Sequence, residues 1–111
     1  MASKYKNVRT MVGQRWFDSK GEAFRYMDLL MLERAKEIKD LKLQVKFPLH
    51  AGEDQLIGHY IADFTYLDSR SGERVVEDFK GKETQLFKWK RKHLEAQYKI
   101  KLLLTKSRGK R

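Results

Sequence analysis

Residues 57–80 read IGHYIADFTYL (57–67), DSRSGE (68–73) and RVVEDFK (74–80). The outer pieces are rich in β-branched and aromatic residues, and the middle piece is a cluster of turn formers. The stretch therefore reads as two antiparallel strands joined by a short connection. With the turn centred between Arg70 and Ser71, Asp63 stands opposite Asp78. Side chains alternate faces along a strand, so Asp78 and Lys80 share one face while Glu77 and Phe79 take the other. A lone carboxylate at Asp63, flanked by Ile61, Ala62 and Phe64, is costly if buried without a partner. Two facing carboxylates with a lysine one step along form a compact site for a hard cation. Oxygen ligands of this kind suit Mg²⁺, with Mn²⁺ as a substitute. Such a metal polarises a phosphate and lowers the pKa of a bound water. Lys80 then orients or deprotonates that water, or stabilises charge on the phosphate oxygens.

Working outward, Ser19-Lys20-Gly21-Glu22 has capping-box spacing, and Ala23, Phe24, Met27, Leu30, Met31, Ala35 and Ile38 follow at helical intervals. These predict an amphipathic helix of about five turns. Leu41, Leu43, Val45 and Phe47 alternate with polar residues as a strand, which Pro48 is expected to end. Residues 83–97 predict a second helix, and alternation from Tyr98 to Leu104 predicts a last strand. The order is α-β-β-β-α-β, an α/β single domain with a mixed central sheet flanked by helices. The domain is expected over residues 16–105, between a basic arm (1–15) and a basic tail (106–111).

The 111 residues carry 25 Lys and Arg against 15 Asp and Glu, a formal net charge of +10. That excess points to a polyanionic partner, and nucleic acid is the commonest. Lys4, Lys6, Arg9 and Arg15 in the arm, and Lys82, Lys88, Lys90, Arg91 and Lys92 around the second helix, are the candidate phosphate contacts. There is no cysteine, which excludes disulfides and zinc–thiolate sites. No apolar run is long enough to span a bilayer and the N-terminus lacks a signal-peptide core, so a cytoplasmic protein without a membrane partner is expected. His50, His59 and His93 are scattered and receive no catalytic role.

Glu22 on the first helix, Asp63, and Asp78-x-Lys80 in this element order resemble the PD-(D/E)xK nuclease superfamily. The runs Asp18-Ser19-Lys20-Gly21-Glu22-Ala23 and Val75-Val76-Glu77-Asp78-Phe79-Lys80-Gly81 are similar to archaeal-type Holliday junction resolvases and their phage relatives. The resemblance covers about residues 16–104. The proline that the superfamily carries before its first aspartate is Ala62 here. The resemblance implies a restriction-endonuclease-like fold, with Glu22, Asp63 and Asp78 as metal-site acids and Lys80 as the catalytic lysine. It also implies a Mg²⁺-dependent endonuclease that resolves four-way DNA junctions, acts as a homodimer and takes no small-molecule substrate. A nuclease of the same fold with other DNA substrates is the first alternative, and a non-catalytic basic nucleic-acid-binding protein the second. Glu22 also fits as no more than a helix cap. Glu77 is the other acid that a one-residue slip would bring to the site.

Overall fold

Alternating β-branched and aromatic residues build the centre of the molecule, and the two helices cover its two sides. The computed structural model describes residues 9–13 and 15–106. In chain order the elements are β1 (Thr10–Val12), β2 (Arg15–Phe17), α1 (Lys20–Arg34), β3 (Ile38–Ala51), β4 (Gln55–Asp68), β5 (Arg74–Phe79), α2 (Gln85–Tyr98) and β6 (Leu103–Thr105). The main sheet runs β3-β4-β5-β6. Its first three strands are antiparallel, and β5 and β6 are parallel with α2 as the crossover. The α-β-β-β-α-β order and the mixed sheet are therefore as expected. No helix among the described residues is long and apolar enough to cross a membrane.

Each helix closes one apolar layer. Phe17, Ala23, Leu29, Ile38, Phe64 and Tyr66 form the α1 layer. Leu49, Tyr60, Ala62, Val76, Phe87, Leu94 and Leu102 form the α2 layer. On a regular strand Tyr60, Ala62, Phe64 and Tyr66 would all share one face. Here β4 changes face between Ala62 and Phe64, and β3 does the same between Leu43 and Phe47, since Phe47 and Leu49 pack with the α2 layer while Leu41 and Leu43 pack with the α1 layer. At the crossover in β3, Gln44 has a φ of +54°. That left-handed backbone is uncommon for a residue other than glycine.

Five local expectations are corrected. The last strand spans only Leu103–Thr105, because Tyr98 still belongs to α2, which ends at a left-handed Lys99. The first helix ends at Arg34 with Ala35 as its C-cap, and Ile38 opens β3 instead, so the helix has about four turns. Its buried side is also different: Phe24 is 55% exposed and Met31 67%, whereas Ala23 and Leu29 are buried. Gly21, Arg25 and Leu29, four apart, set the inward stripe. A Cβ on Gly21 would overlap the Phe79 ring, and Arg25 pairs with Glu77. A polar residue at the centre of the stripe hides it from a reading of apolar periodicity.

Pro48 does not end its strand. β3 lies at the sheet edge, where a missing amide leaves no ladder bond unmade. Pro48 pairs with His59, and its carbonyl accepts from the Tyr98 hydroxyl at 2.7 Å. Finally, Thr10–Val12, inside the segment read as an arm, pairs with Arg15–Phe17 at that segment's end as a small hairpin. Three-residue strands are too short to show a period. Lys4 and Lys6, and residues 107–111 of the tail, lie outside the described residues.

Glu77 is fully buried and belongs to the α1 side. Its carboxylate accepts from Arg25 Nε at 2.6 Å and Arg25 Nη2 at 3.0 Å, from the Tyr66 hydroxyl at 2.6 Å and from the Thr105 hydroxyl at 3.0 Å. The same hydrogen bonds raise the Arg25 pKa. Removing one partner of a buried, fully bonded pair leaves the other without compensation. Glu77→Ala is therefore expected to lower the unfolding free energy in urea by about 3–5 kcal/mol; a change below about 1 kcal/mol would show the pair to be dispensable.

Candidate active site at the ends of β4 and β5

The β4–β5 ladder runs from Leu67↔Arg74 to Phe64↔Glu77, the register implied by a turn centred between Arg70 and Ser71. At the next rung, where Asp63 faces Asp78, β4 changes face and side chains take over from the backbone. The Asp63 amide donates to Asp78 Oδ1 at 2.7 Å. The Phe79 amide donates to Asp63 Oδ2 at 2.9 Å. The Tyr60 hydroxyl donates to Asp78 Oδ2, and Gln44 Nε2 donates to Asp63 Oδ1 at 3.4 Å. The two strand ends are thus joined through the two carboxylates themselves.

Lys80 follows one step along, with its amide bonded to the Thr105 carbonyl at 2.9 Å. Its ammonium lies 3.8 Å from Asp78 Oδ2 and 4.5 Å from the centroid of the Phe87 ring in the first turn of α2. Glu22 approaches from α1. Ser19 caps that helix by accepting from the Glu22 amide at 3.2 Å. Among the described hydrogen bonds, the Glu22 carboxylate takes no part in the cap. It lies instead where the charges of Asp63, Asp18 and Asp78 act on it. The close approach of Gly21 to Phe79 is what brings this first turn against the strand ends.

The site carries an excess of negative charge. Burial, followed by the repulsion of Asp78, pushes the Asp63 carboxyl up to about 6. Burial, then Asp63, Asp18 and Asp78, pushes Glu22 up to about 7. Burial also raises Asp78, against the opposing bonds from Tyr60 and the Asp63 amide. Lys80 lowers all three but does not offset the repulsion. The structure therefore brings Asp63, Asp78 and Lys80 together, sets Glu22 near enough for their charges to act on it, and excludes Glu77, which faces the other side of the sheet.

Among the described residues no three acids or imidazoles converge closely enough to hold one ion jointly. Mg²⁺ does not require such a cage, because it binds through one or two carboxylates and keeps several waters. Asp63 and Asp78 suit that demand. Their hydrogen bonds leave part of the roughly four lone-pair positions of each carboxylate unused. Their raised pKa values mark charge that a cation would neutralise.

Three neighbours of the acids escape a sequence reading. Tyr60 reads as an ordinary strand aromatic, and Gln44 as a solvated polar residue. Asp18 sits beside the cap, where an acid is unremarkable. The basic residues divide. Lys88 and Lys92 are exposed, but Lys90 Nζ donates to the His59 carbonyl at 3.2 Å. Arg91 is held by Glu95 at 3.2 Å and donates to the Leu102 carbonyl at 3.4 Å. Arg9 stacks on Trp16, 5.0 Å from the ring centroid, Arg15 is exposed, and Lys82 lies on the exposed connection before α2. His93 bonds the His50 carbonyl at 2.7 Å, which accounts for the pair as scaffold.

A carboxyl whose pKa is raised in the fold binds more protons folded than unfolded, so stability falls as pH climbs from the unfolded to the folded value. For Asp63 and Glu22 the window opens at the ordinary carboxylate value of about 4 and closes at about 6 and about 7. In EDTA, the melting temperature of Asp63→Asn should gain on that of the parent as pH rises from about 5 to about 7.5. Added Mg²⁺ should raise the parent's melting temperature most at the upper end and leave the variant's unchanged. A difference that does not vary with pH would remove the charge excess from the account.

No curated protein and no solved structure matches the chain. A family match covers residues 2–109, nearly the whole sequence, and the chain belongs to the family described as "Protein of unknown function (DUF1064)".

Proposed function

We propose that the protein is a Mg²⁺-dependent, structure-selective DNA endonuclease that acts on four-way junctions. The observation that carries this reading is the paired strand ends: two aspartates whose carboxylates accept backbone amides across the strands, Glu22 close enough for its charge to act on them, and Lys80 3.8 Å from Asp78. A basic protein has an electrostatic reason to hold DNA. It gains nothing from an acid cluster beside the phosphates unless a cation joins the two.

In this reading Asp63 and Asp78 would hold the metal, with Glu22 as a further acid whose charge acts on the same site. A cation bound there would supply Lewis-acid chemistry and lower the pKa of a water. Lys80, fixed between Asp78 and the Phe87 ring, holds its charge where negative charge develops on the phosphate. Tyr60 and Gln44 fix the orientations of Asp78 and Asp63. The two-fold symmetry of a junction is matched by a homodimer with one such site in each subunit.

The hydrogen bonds that splice β4 to β5 through Asp63 and Asp78 also favour a second reading. In it the acids are purely architectural and the protein is a non-catalytic nucleic-acid-binding module. One assay separates the two. A labelled synthetic four-way junction and a matched linear duplex are incubated with protein in Mg²⁺ and in EDTA. Symmetric nicks in the junction alone, lost in EDTA, are expected. Asp63→Ala and Asp78→Ala should bind the junction without cutting it, and Lys80→Met should cut on the order of 10²–10³-fold more slowly. Binding of the parent with no product would leave the second reading. Cutting by the aspartate variants at the parent's rate would overturn the site.

A further inference from the structure

Trp89 is the most exposed large apolar side chain among the described residues, at 77%, and Leu86, three positions earlier on α2, is 65% exposed. Tryptophan is usually well buried, so an indole left in water on a small domain calls for an account. Lys88 and Lys92 are exposed beside it. They stand four apart, a spacing at which like charges repel along a helix. Among the described residues neither has an ion-pair partner. Glu95 is the sole acid of α2, and it is occupied by Arg91 and by the Leu102 amide at 2.8 Å. The other cations of the segment, Lys90 and Arg91, are tied to the domain itself.

The like-charge spacing of the lysines is mildly unfavourable in the free protein, the indole leaves its face open to solvent, and one kind of partner uses both: an aromatic ring flanked by negative charge. A nucleobase between its two phosphates has that chemistry, and base–aromatic stacking tolerates any base because every base has a π-face. Bases inside a duplex have their faces covered, so the base must be unpaired or splayed out. The inner side of the same helical turns already serves the candidate site, since Phe87 lies under the Lys80 ammonium and against Tyr60.

We infer that the outer face of α2 binds an unpaired base of the DNA substrate, with Trp89 as the stacking surface, Leu86 at its border and Lys88 and Lys92 on the flanking phosphates. The choice of DNA rests on the nuclease reading. The stacking chemistry does not, and it is measured without cleavage.

The test is fluorescence anisotropy in EDTA, with the full chain and two probes: a labelled oligothymidine and a blunt duplex of equal length. Trp89→Ala should weaken oligothymidine binding by about tenfold while changing duplex binding by less than about twofold, and Trp89→Phe should retain more than Trp89→Ala. In Trp16→Phe, where Trp89 is the remaining indole, oligothymidine should quench the emission. The Lys88→Gln/Lys92→Gln pair should flatten the salt dependence of oligothymidine binding by about one to two in slope. An unquenched indole, a Trp89→Ala affinity for oligothymidine equal to the parent's, or equal losses on both probes would overturn the inference. These outcomes are independent of the cutting assay. Junction binding by the parent with no product would overturn the nuclease reading and leave the base site standing, and a failed base site would leave the nuclease reading intact.

Discussion

Two amides and two carboxylates, exchanged between Asp63, Asp78 and Phe79, hold the middle of the sheet together. β4 must change face to feed both apolar layers, and where it turns over, the regular ladder with β5 stops. An amide stranded there in a buried setting would carry the penalty of an unmade hydrogen bond. The aspartates remove that penalty with acceptors reaching from the opposite strand in each direction. The arrangement brings its own strain, because it packs two carboxylates side by side with a third acid nearby, and it does so against a left-handed Gln44. Architecture and candidate chemistry thus rest on the same side chains.

The contrast between Glu77 and Asp78 separates a structural acid from a candidate functional one. They are neighbours in the chain and sit on opposite sides of the sheet. Glu77 is paired with a guanidinium and two hydroxyls, a closed set that fixes α1 to β5 and leaves no charge over. Asp78 has a hydroxyl, an amide and a distant ammonium, while its acidic neighbours outnumber that single cation. Burial is similar for the two; the balance of charge around them differs. That balance is the physical ground for looking to Asp78, and not Glu77, for a cation.

Much of this was legible in the sequence for identifiable reasons. The turn at Asp68–Glu73 fixes the hairpin register, and with it the meeting of Asp63 and Asp78, because a short connection leaves little freedom in pairing. Ser19 announces the helix start. The helix orientation was not legible, because Gly21 and Arg25 face inward for reasons that lie fifty residues away in β5. Neither was the change of face at Gln44 and Asp63, since alternation is the very signal from which a strand is read and the inversion breaks it without a glycine or proline to mark it. Tyr60 was hidden by the ordinariness of an aromatic in a strand. The split of the basic segment into bound and free cations depends on acceptors, the His59 and Leu102 carbonyls, that no local pattern reveals.

The splice between β4 and β5 gives two amides an unusual chemistry. The rungs from Phe64 to Leu67 belong to the regular ladder, whose carbonyl acceptors hold no titratable proton. The amides of Asp63 and Phe79 are held by carboxylates whose affinity for protons is raised by their surroundings. As these groups take up protons they become weaker acceptors, and the two amides open to solvent more readily than the rungs beside them. Protection against hydrogen exchange, corrected for intrinsic rates, is therefore coupled to acidity at this one step of the sheet and not at its neighbours. A continuous sheet in the static structure is thus a composite in its dynamics, with a seam whose strength the solvent sets.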